Sequence, residues 1–301
     1  MRFQIFVAAA IVTATAGCGA EAMSVATAPP ASATSTPRAP KSLRNLPQDE
    51  AIVWALGDAS DVTNGPKPIT RLVTRSRGDL FLYLGDVYES GTRGEFENGY
   101  DRLLGPVARR TAPVLGNHEY ANRESGYLPY WRGRLGVEMP SYYSLRAAGW
   151  TLIALNSEQP HDAGSPQLAW LQRKLERPGS CRIAFFHRPR FSAGNHGDQP
   201  DIAPIWEALT GRATLVLSGH DHNSQRFRPV KRLTQVVAGA GGHSMYGLKD
   251  DPRRAFGDDR APAALRMVLT PGRAELTFRR ASGAVIDRSV VRCHRSSGTA
   301  A

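Results

Sequence analysis

The sequence predicts a layered α/β fold, and three observations support this. Short apolar runs typical of buried strands alternate with segments of helical spacing over the first two thirds of the chain. From residue 223 onward, the sequence is a succession of strand-like runs. With 301 residues, of which 41% are apolar and 22% charged, the chain can build a sizeable core. Strand–helix alternation closed by a β-rich portion favours stacked sheets and helices.

Five apolar runs predict buried strands. They are AIVWAL (51–56), LFLYL (80–84), WTLIALN (150–156), RIAFF (182–186) and ATLVL (213–217). Four segments between them have helical spacing, namely 68–77, 94–104, 166–176 and 202–209. Ser165 is a suitable N-cap for the third helix and Asp201 for the fourth. Further strands are predicted in SQRFRPV, LTQVVAG, LRMVLT, AELTFRR and AVIDRSVV.

The N-terminal residues 1–18 indicate an export signal, in which Arg2 precedes an apolar run and small residues precede Cys18. The ending Ala-Gly-Cys resembles a bacterial lipobox, with Thr15 where an aliphatic residue is usual. We therefore expect Cys18 to be lipidated, which would tether the protein to a membrane surface. The alternative is cleavage by a signal peptidase, giving a secreted or periplasmic protein.

The rest of the chain is expected to form one folded domain behind a linker. Residues 19–47 are rich in Ala, Pro, Ser and Thr, a composition that predicts disorder because it buries little apolar surface. The domain is expected at 48–295 and a short tail at 296–301. No internal repeat or second linker interrupts the domain.

Apart from Cys18, the chain has two cysteines, Cys181 and Cys293. Disulfides persist in exported proteins, so this pair predicts one disulfide that closes a long loop near the C-terminus. The alternative is two unrelated buried thiols.

The formal net charge of +11 is compatible with an anionic substrate such as a phosphate compound. The basic residues form neither a Lys/Arg block nor a stripe interleaved with aromatic residues. Nucleic acid is therefore not expected as a specific partner.

Polar side chains follow four of the first five runs and the short apolar segment at 114–115, each in a short turn. They are Asp58, Asp86, Asn117 with His118, His187, and His220 with His222. In open α/β sheets, ligands bind at the carboxyl ends of strands, where several such ends meet. Each residue alone would be explained as a turn residue or a structural histidine. Together they form a mixed nitrogen and oxygen set suited to two metal ions, and without thiolates they do not resemble a structural zinc site.

The ordered motifs GDAS, GDVY, GNHE, FFH and GHDH resemble those of the calcineurin-like metallophosphoesterases, and more narrowly those of the purple acid phosphatase branch. The resemblance covers residues 50–245. It implies a four-layer sandwich of two mixed β-sheets flanked by helices, with the metal site at the carboxyl edge of the strands. It also implies a metal-dependent phosphoric ester hydrolase.

Transferred to this sequence, the resemblance implies two metal positions that share Asp86. The first would take Asp58, Asp86 and His222. The second would take Asp86, Asn117, His187 and His220. The implied ions are Fe(III) together with divalent Fe, Zn or Mn.

The resemblance also implies roles for three nearby residues. His118 would contact the phosphate and protonate the leaving group, and Glu119 would orient it; the alternative for Glu119 is a carboxylate on a surface turn. His196 lies nine residues after His187, the spacing of a second histidine that faces the substrate. The alternative for His196 is a histidine in a surface loop. The turn GAGGH at 239–243 is not assigned a role.

Tyr88 is expected to bind the first metal. Ala59 and Ser60 follow Asp58, so the histidine of the D-x-H motif used by other branches is missing. The Gly-Asp-x-x-Tyr pattern of purple acid phosphatases is shortened here to Gly-Asp-x-Tyr, with Glu89 where the tyrosine is expected. Ligation requires the turn to bring the phenol back, and the alternative is that Tyr88 packs at the lip of the site.

The sequence therefore predicts an exported, dinuclear-metal phosphomonoesterase that acts on a small phosphorylated substrate. The alternatives are a phosphodiesterase or nucleotide hydrolase on the same scaffold, and a non-catalytic phosphoryl-binding protein of the cell envelope. We expect a monomer that meets a membrane only through its lipid anchor.

Overall fold

The structure, a computed structural model, describes residues 37–59, 67–177 and 181–293. The predicted export signal, the lipidation of Cys18, the tail and most of the linker lie outside these ranges. In the described part of the chain, no helix is long and apolar enough to cross a membrane.

The described residues form strands and short helices in alternation. The strands are β1 (Ala51–Leu56), β2 (Leu80–Tyr83), β3 (Thr111–Pro113), β4 (Tyr143–Ala147), β5 (Trp150–Ala154), β6 (Cys181–Phe185), β7 (Leu215–Ser218), β8 (Ser224–Phe227), β9 (Thr234–Ala238), β10 (Arg254–Asp258), β11 (Ala263–Thr270), β12 (Arg273–Arg280) and β13 (Val285–Arg292). The α-helices are α1 (Pro68–Arg75), α2 (Arg93–Glu95), α3 (Asp101–Leu104), α4 (Asn117–Tyr120), α5 (Tyr127–Leu135), α6 (Pro166–Leu175) and α7 (Ala203–Leu209). A π-helical turn, Phe96–Tyr100, joins α2 to α3, and 3₁₀ helices span Lys41–Leu43, Gly105–Arg110 and Pro200–Ile202.

The strands form two mixed sheets. The first has the order β13-β12-β11-β1-β2-β3, in which β1, β2 and β3 are parallel and the other pairs antiparallel. The second has the order β10-β8-β9-β7-β6-β5-β4, in which β5, β6, β7 and β9 are parallel. The sequence prediction of two mixed β-sheets is therefore confirmed.

Alternate residues of the second sheet face two different apolar layers. Ile183 and Leu215 belong to a large cluster that also contains Leu82 of the first sheet. Their neighbours in sequence, such as Val216, pack instead with side chains of α6 and α7, including Trp206. Because the strands are covered on both faces, they are continuously apolar, which explains the runs seen in the sequence.

Two predicted helix starts have different outcomes. The Ser165 side chain accepts a hydrogen bond from the Leu168 backbone N–H at 3.2 Å, so it is the N-cap of α6 as predicted. Asp201 does not cap α7, and that prediction was wrong. It lies inside the 3₁₀ helix Pro200–Ile202, which leads directly into α7 and puts Ile202 at the cap position.

The folded part of the chain begins earlier than the predicted boundary at residue 48. Ala39, Leu43 and Leu46 are buried in the main apolar cluster, and Leu43 lies in a 3₁₀ helix. Three apolar side chains are enough to pack this segment even though its composition is typical of a linker.

Two connections between the sheets join residues that are far apart in sequence. Cys181, at the start of β6, forms the predicted disulfide with Cys293, which follows β13, across a separation of 112 residues. Arg226 of β8 also donates two hydrogen bonds, of 2.8 and 2.9 Å, to the Asp287 carboxylate of β13. The edge strand β13 of the first sheet is therefore fixed to the second sheet.

Candidate metal centre

The predicted ligands meet where the carboxyl ends of β1, β2, β3, β6 and β7 converge, and hydrogen bonds cross between the two sheets at this edge. The His220 backbone N–H donates to Asp58 Oδ2 at 3.0 Å. The His187 ring nitrogen Nδ1 lies 2.8 Å from the Leu84 carbonyl oxygen and donates to it, since a carbonyl can only accept. The edge that the motifs predicted is therefore one site built from both sheets.

One cluster of donor atoms surrounds Nε2 of His187. This atom lies 3.0 Å from Asn117 Oδ1, 3.1 Å from His220 Nδ1 and 3.3 Å from Asp86 Oδ2. The ligand atoms of Asp86, His187 and His220 all lie within 4.8 Å of one another, and the three residues are buried. These are the four side chains expected at the second metal position.

The chemistry of this cluster fits a cation. The proton on His187 Nδ1 is used by the Leu84 carbonyl, so Nε2 of the neutral ring carries a lone pair. That lone pair faces a carboxylate oxygen and an amide oxygen, which are also acceptors. Converging acceptors repel one another unless a proton or a metal ion lies between them, so the residues present fit a metal ion.

A second cluster surrounds the Tyr88 hydroxyl. This oxygen lies 2.7 Å from His222 Nε2 and 3.0 Å from both Asp58 Oδ1 and Asp86 Oδ2. Tyr88 is buried with 1% exposure, so the shortened turn does bring the phenol into the site. The four side chains are those expected at the first metal position, and Asp86 belongs to both clusters.

The two buried carboxylates, Asp58 and Asp86, each disfavour the ionisation of the other. Burial raises the pKa of Asp58 well above its usual value, and the like charge of Asp86 adds to the shift. Burial acts in the same direction on Asp86, but the His187 cation outweighs it and holds the pKa of Asp86 below its usual value. Burial lowers the pKa of His187, but Asp86 outweighs it and raises that pKa to about 10. A proton therefore occupies the position between His187 and Asp86 when no metal ion does.

The other two imidazoles are already suited to metal binding. Burial and the charge of His187 lower the pKa of His220 to about 2, and burial lowers the pKa of His222 to about 4. His222 Nδ1 also donates to the Ser244 carbonyl at 2.7 Å, so the lone pair is on Nε2, which faces the Tyr88 hydroxyl. Both rings are neutral across most of the acid range, and neutral imidazole is the form that binds metals.

Three site residues have left-handed backbone conformations, with φ of 59° at Asp58, 65° at Asp86 and 71° at His220. Each follows a glycine at the end of a strand. Close approach also requires glycine nearby, because a Cβ on Gly116 would lie 2.1 Å from Asp86 Oδ1. The turns are therefore shaped around the Asp86 carboxylate at some cost in backbone strain.

His118 and Glu119 are arranged differently from the prediction. The two Glu119 carboxylate oxygens accept from the backbone N–H groups of Asp86 and Val87, at 3.2 and 3.1 Å. His118 is oriented instead by the Glu89 carbonyl, 2.6 Å from Nδ1, and its Nε2 lies 3.9 Å from Asp86 Oδ2. Glu119 is buried and holds the turn that carries Asp86, so neither the predicted partner nor the surface alternative is correct.

His196 lies beside the second cluster. Its ring stacks on that of His220, with centroids 4.1 Å apart, and its backbone N–H donates to Asp221 Oδ1 at 3.1 Å. The loop that carries His196 is therefore anchored at the site, while His196 itself is exposed, and its substrate-facing role stays a prediction.

The sequence left one part of the site unassigned, the turn after β9. His243 of this turn stacks on the Tyr88 ring, with centroids 4.1 Å apart. Gly239 lies so close to the Asp221 carbonyl that a Cβ would come within 2.2 Å of it. A glycine-rich turn at a strand end on the same sheet edge was the available signal, although such turns are common.

A model of the calcineurin-like phosphoesterase family matches residues 49–224, more than half of the chain. The chain therefore belongs to the calcineurin-like phosphoesterase family and is a metal-dependent phosphoester hydrolase. Among curated relatives, tartrate-resistant acid phosphatase type 5 of Rattus norvegicus is 26% identical over 234 residues, which cover 62% of this chain and 71% of that protein. The Sus scrofa protein of the same name is 26% identical over 284 residues, covering 76% and 83%.

Solved structures show the same fold. The purple acid phosphatase PPD1 of yellow lupin (Lupinus luteus) superposes with a TM-score of 0.67 at 17% identity, and the match covers 81% of this chain and 54% of that one. This chain thus spans about half of the lupin protein. GAP50 of Plasmodium, described as the anchor in the inner membrane complex, superposes with a TM-score of 0.70 at 15% identity, covering 83% and 91%.

Proposed function

We propose that this protein is an exported phosphomonoesterase that uses two metal ions. The main observation that supports this proposal is the pair of donor clusters that share Asp86 at the common edge of the two sheets. The likeness to tartrate-resistant acid phosphatases supports monoesters as the substrate class. The net charge of +11 favours association with small anionic phosphates.

The side chains of each cluster have distinct tasks in this proposal. Asp58, Tyr88 and His222 hold the first ion, Asn117, His187 and His220 hold the second, and Asp86 is shared. When bound, two such ions lower the pKa of a water molecule and polarise the phosphoryl group. We propose Fe(III) at the first position, because a phenolate is a hard anionic ligand, and divalent Fe, Zn or Mn at the second.

Two histidines outside the clusters handle the substrate. The proton on His118 Nδ1 is held by the Glu89 carbonyl, so Nε2 is the nitrogen that can carry a second proton toward the leaving group. His118 is partly exposed, so that nitrogen can reach a bound ester. In this proposal His196, whose ring stacks on that of His220, holds the phosphate on the side of the second ion.

The test compares p-nitrophenyl phosphate with its bis ester, together with elemental analysis of the purified chain. We expect two ions per chain and a preference for the monoester. Asp86→Asn should lose both ions, and its kcat/KM should fall by at least about 100-fold. The loss should be this large because the substitution changes a direct metal ligand, not a residue that only orients one. Asp250→Asn, at an exposed position, is the matched control and should behave as wild type.

The outcomes separate the competing functions. A preference for the bis ester would replace the monoesterase proposal by a phosphodiesterase. Fewer than one ion per chain, with hydrolysis of neither ester, would support a non-catalytic binding protein.

The proposed location rests on the N-terminal residues. We propose that Cys18 anchors the mature protein to the outside of a bacterial membrane and that the folded part is monomeric. In whole cells, wild type should fractionate with membranes, and Cys18→Ala should lose its lipid label and leave them. Membrane association that persists in Cys18→Ala would contradict the anchor, and elution as a dimer would contradict the monomer.

A further inference from the structure

The loop from Gly239 to Tyr246 follows β9 and packs against the candidate metal centre. We propose that this loop orients the ligands of the first metal position. Substitutions in the loop should therefore weaken the binding of one metal ion and leave the other ion bound. The inference rests on the proposed dinuclear function and assigns residues of this loop a positioning role within it.

Each of the two aromatic ligands of the first position is covered by a ring from this loop. His243 stacks on Tyr88, with ring centroids 4.1 Å apart and ring planes inclined by 30°. Tyr246 stacks on His222, with centroids 3.9 Å apart and planes inclined by 14°. The His243 ring also meets His222 edge-on at 4.8 Å. The loop rings therefore restrict the rotation of both ligand side chains.

Backbone hydrogen bonds from the same loop reach the same ligand residues. The His243 N–H donates to the Asp58 carbonyl at 3.2 Å, and the Tyr246 N–H donates to the His222 carbonyl at 3.1 Å. The Ser244 carbonyl accepts from His222 Nδ1 at 2.7 Å. The three residues assigned to the first position alone thus all contact this loop, Tyr88 and His222 through their side chains and Asp58 through its backbone carbonyl.

The second position is held by other parts of the chain. His187 is fixed by the Leu84 carbonyl after β2, and the His220 ring is covered by His196. Asn117 is the first residue of α4. The two positions share Asp86, and Tyr246 also meets the His196 ring edge-on, with centroids 5.4 Å apart. Its stack on His222 is closer, at 3.9 Å, and His243 contacts the rings of Tyr88 and His222, so the main effect of a change in the loop is expected at the first position.

Residues that contact the metal ligands without binding the metal keep those ligands oriented, and loss of such a residue weakens metal binding by about 10- to 100-fold. The test is equilibrium dialysis of metal-free protein against Zn²⁺, with elemental analysis. His243→Ala and Tyr246→Ala should each weaken one of the two Zn²⁺ ions by that factor and leave the affinity for the other unchanged. His243→Phe and Tyr246→Phe keep a stacking ring and should restore binding close to wild type.

A double variant identifies which ion is affected. Asn117→Ala should weaken the second position, and Asn117→Ala combined with Tyr246→Ala should weaken both ions. If the double variant still bound one ion as tightly as wild type, both changes would act on the same position and the proposal would be overturned. Wild-type affinity for both ions in the two loop alanine variants would overturn it as well.

The metal content of the wild-type chain separates the proposed dinuclear function from the proposed role of the loop. A wild-type chain that binds fewer than two ions overturns the dinuclear function and this inference together, whereas loss of the loop effect alone leaves the function standing. Circular dichroism of each metal-free variant checks folding. Should an alanine variant unfold, Tyr246→Leu retains a large apolar side chain without the ring, and it should still weaken one ion.

Discussion

The Tyr88 hydroxyl lies 2.7 Å from Nε2 of His222, although the turn that carries it is one residue shorter than the Gly-Asp-x-x-Tyr pattern. Tyr88→Phe keeps the ring, which packs between His118 and His243, and removes only the oxygen. If iron occupies the first position, the variant should lose its phenolate-to-iron visible absorption and bind that ion more weakly. Elemental analysis and an absorption spectrum measure this. Unchanged metal content and spectrum would show that Tyr88 only packs beside the site.

Glu119→Gln tests the support of the Asp86 turn. The carboxylate accepts two backbone N–H groups, and an amide can accept at only one of its two atoms, so one donor would lose its partner. We expect metal affinity to fall by about 10- to 100-fold, as for other outer partners, measured by competition with a chelator. The exposed Glu124→Gln is the matched control, and an equal loss there would refute the assignment.

Removal of the disulfide should lower stability and spare activity. Cross-linking residues 112 apart restricts the unfolded chain by an amount on the order of 4 kcal/mol. Cys293→Ser should therefore melt roughly 10 °C below wild type. Cys181 lies at the start of β6 and His187 just beyond its end, so kcat/KM at 25 °C should change little. A melting temperature insensitive to both the substitution and a reductant would contradict this.

Asp258 should make stability depend on pH. Its buried carboxylate accepts from Arg260 Nη2 and Arg280 Nη2, each at 2.6 Å. Burial raises the pKa of Asp258, but these arginines outweigh it and the net pKa is lowered from 3.8. A lowered carboxyl pKa stabilises the fold above pH 4 and loses that contribution as the pH falls through the folded value.

Asp258→Asn should remove this dependence. We expect a loss of roughly 2 kcal/mol in the free energy of unfolding at pH 7, and a smaller difference from wild type at pH 3. Denaturant titrations at both pH values measure it. The exposed Asp250→Asn should show no difference at either pH, and a constant deficit for Asp258→Asn would exclude the electrostatic cause.

The parts of the fold that sequence predicted are those with local signals. β1 was predicted with its observed bounds, and Ser165 caps α6, because buried strands and N-caps leave marks within a few residues. The helix α5 was missed, since Pro129 and Gly133 interrupt its pattern. The strand β10 was missed because its burial alternates weakly, with Phe256 only partly buried.

The site was predicted as far as strand ends reveal it. Asp58, Asp86 and His187 follow apolar runs, so their convergence could be anticipated from the edge they share. The contacts of His243 with Tyr88 and of Tyr246 with His222 could not, because stacking that depends on the path of an irregular loop leaves no local pattern. The hydrogen bonds of Glu119 to the Asp86 and Val87 backbone could not be anticipated either, because they depend on the path of a turn, which composition does not determine.

The left-handed backbone at Asp58, Asp86 and His220 has a practical consequence for engineering. Glycine would adopt these conformations with less strain. At Asp58 it would also remove a carboxylate whose charge is disfavoured by burial, so a search for heat-resistant variants that uses metal-free protein would favour glycine there and discard the chemistry. Selection should be run with the metal ions bound, so that retention of the ligands and resistance to heat are favoured together.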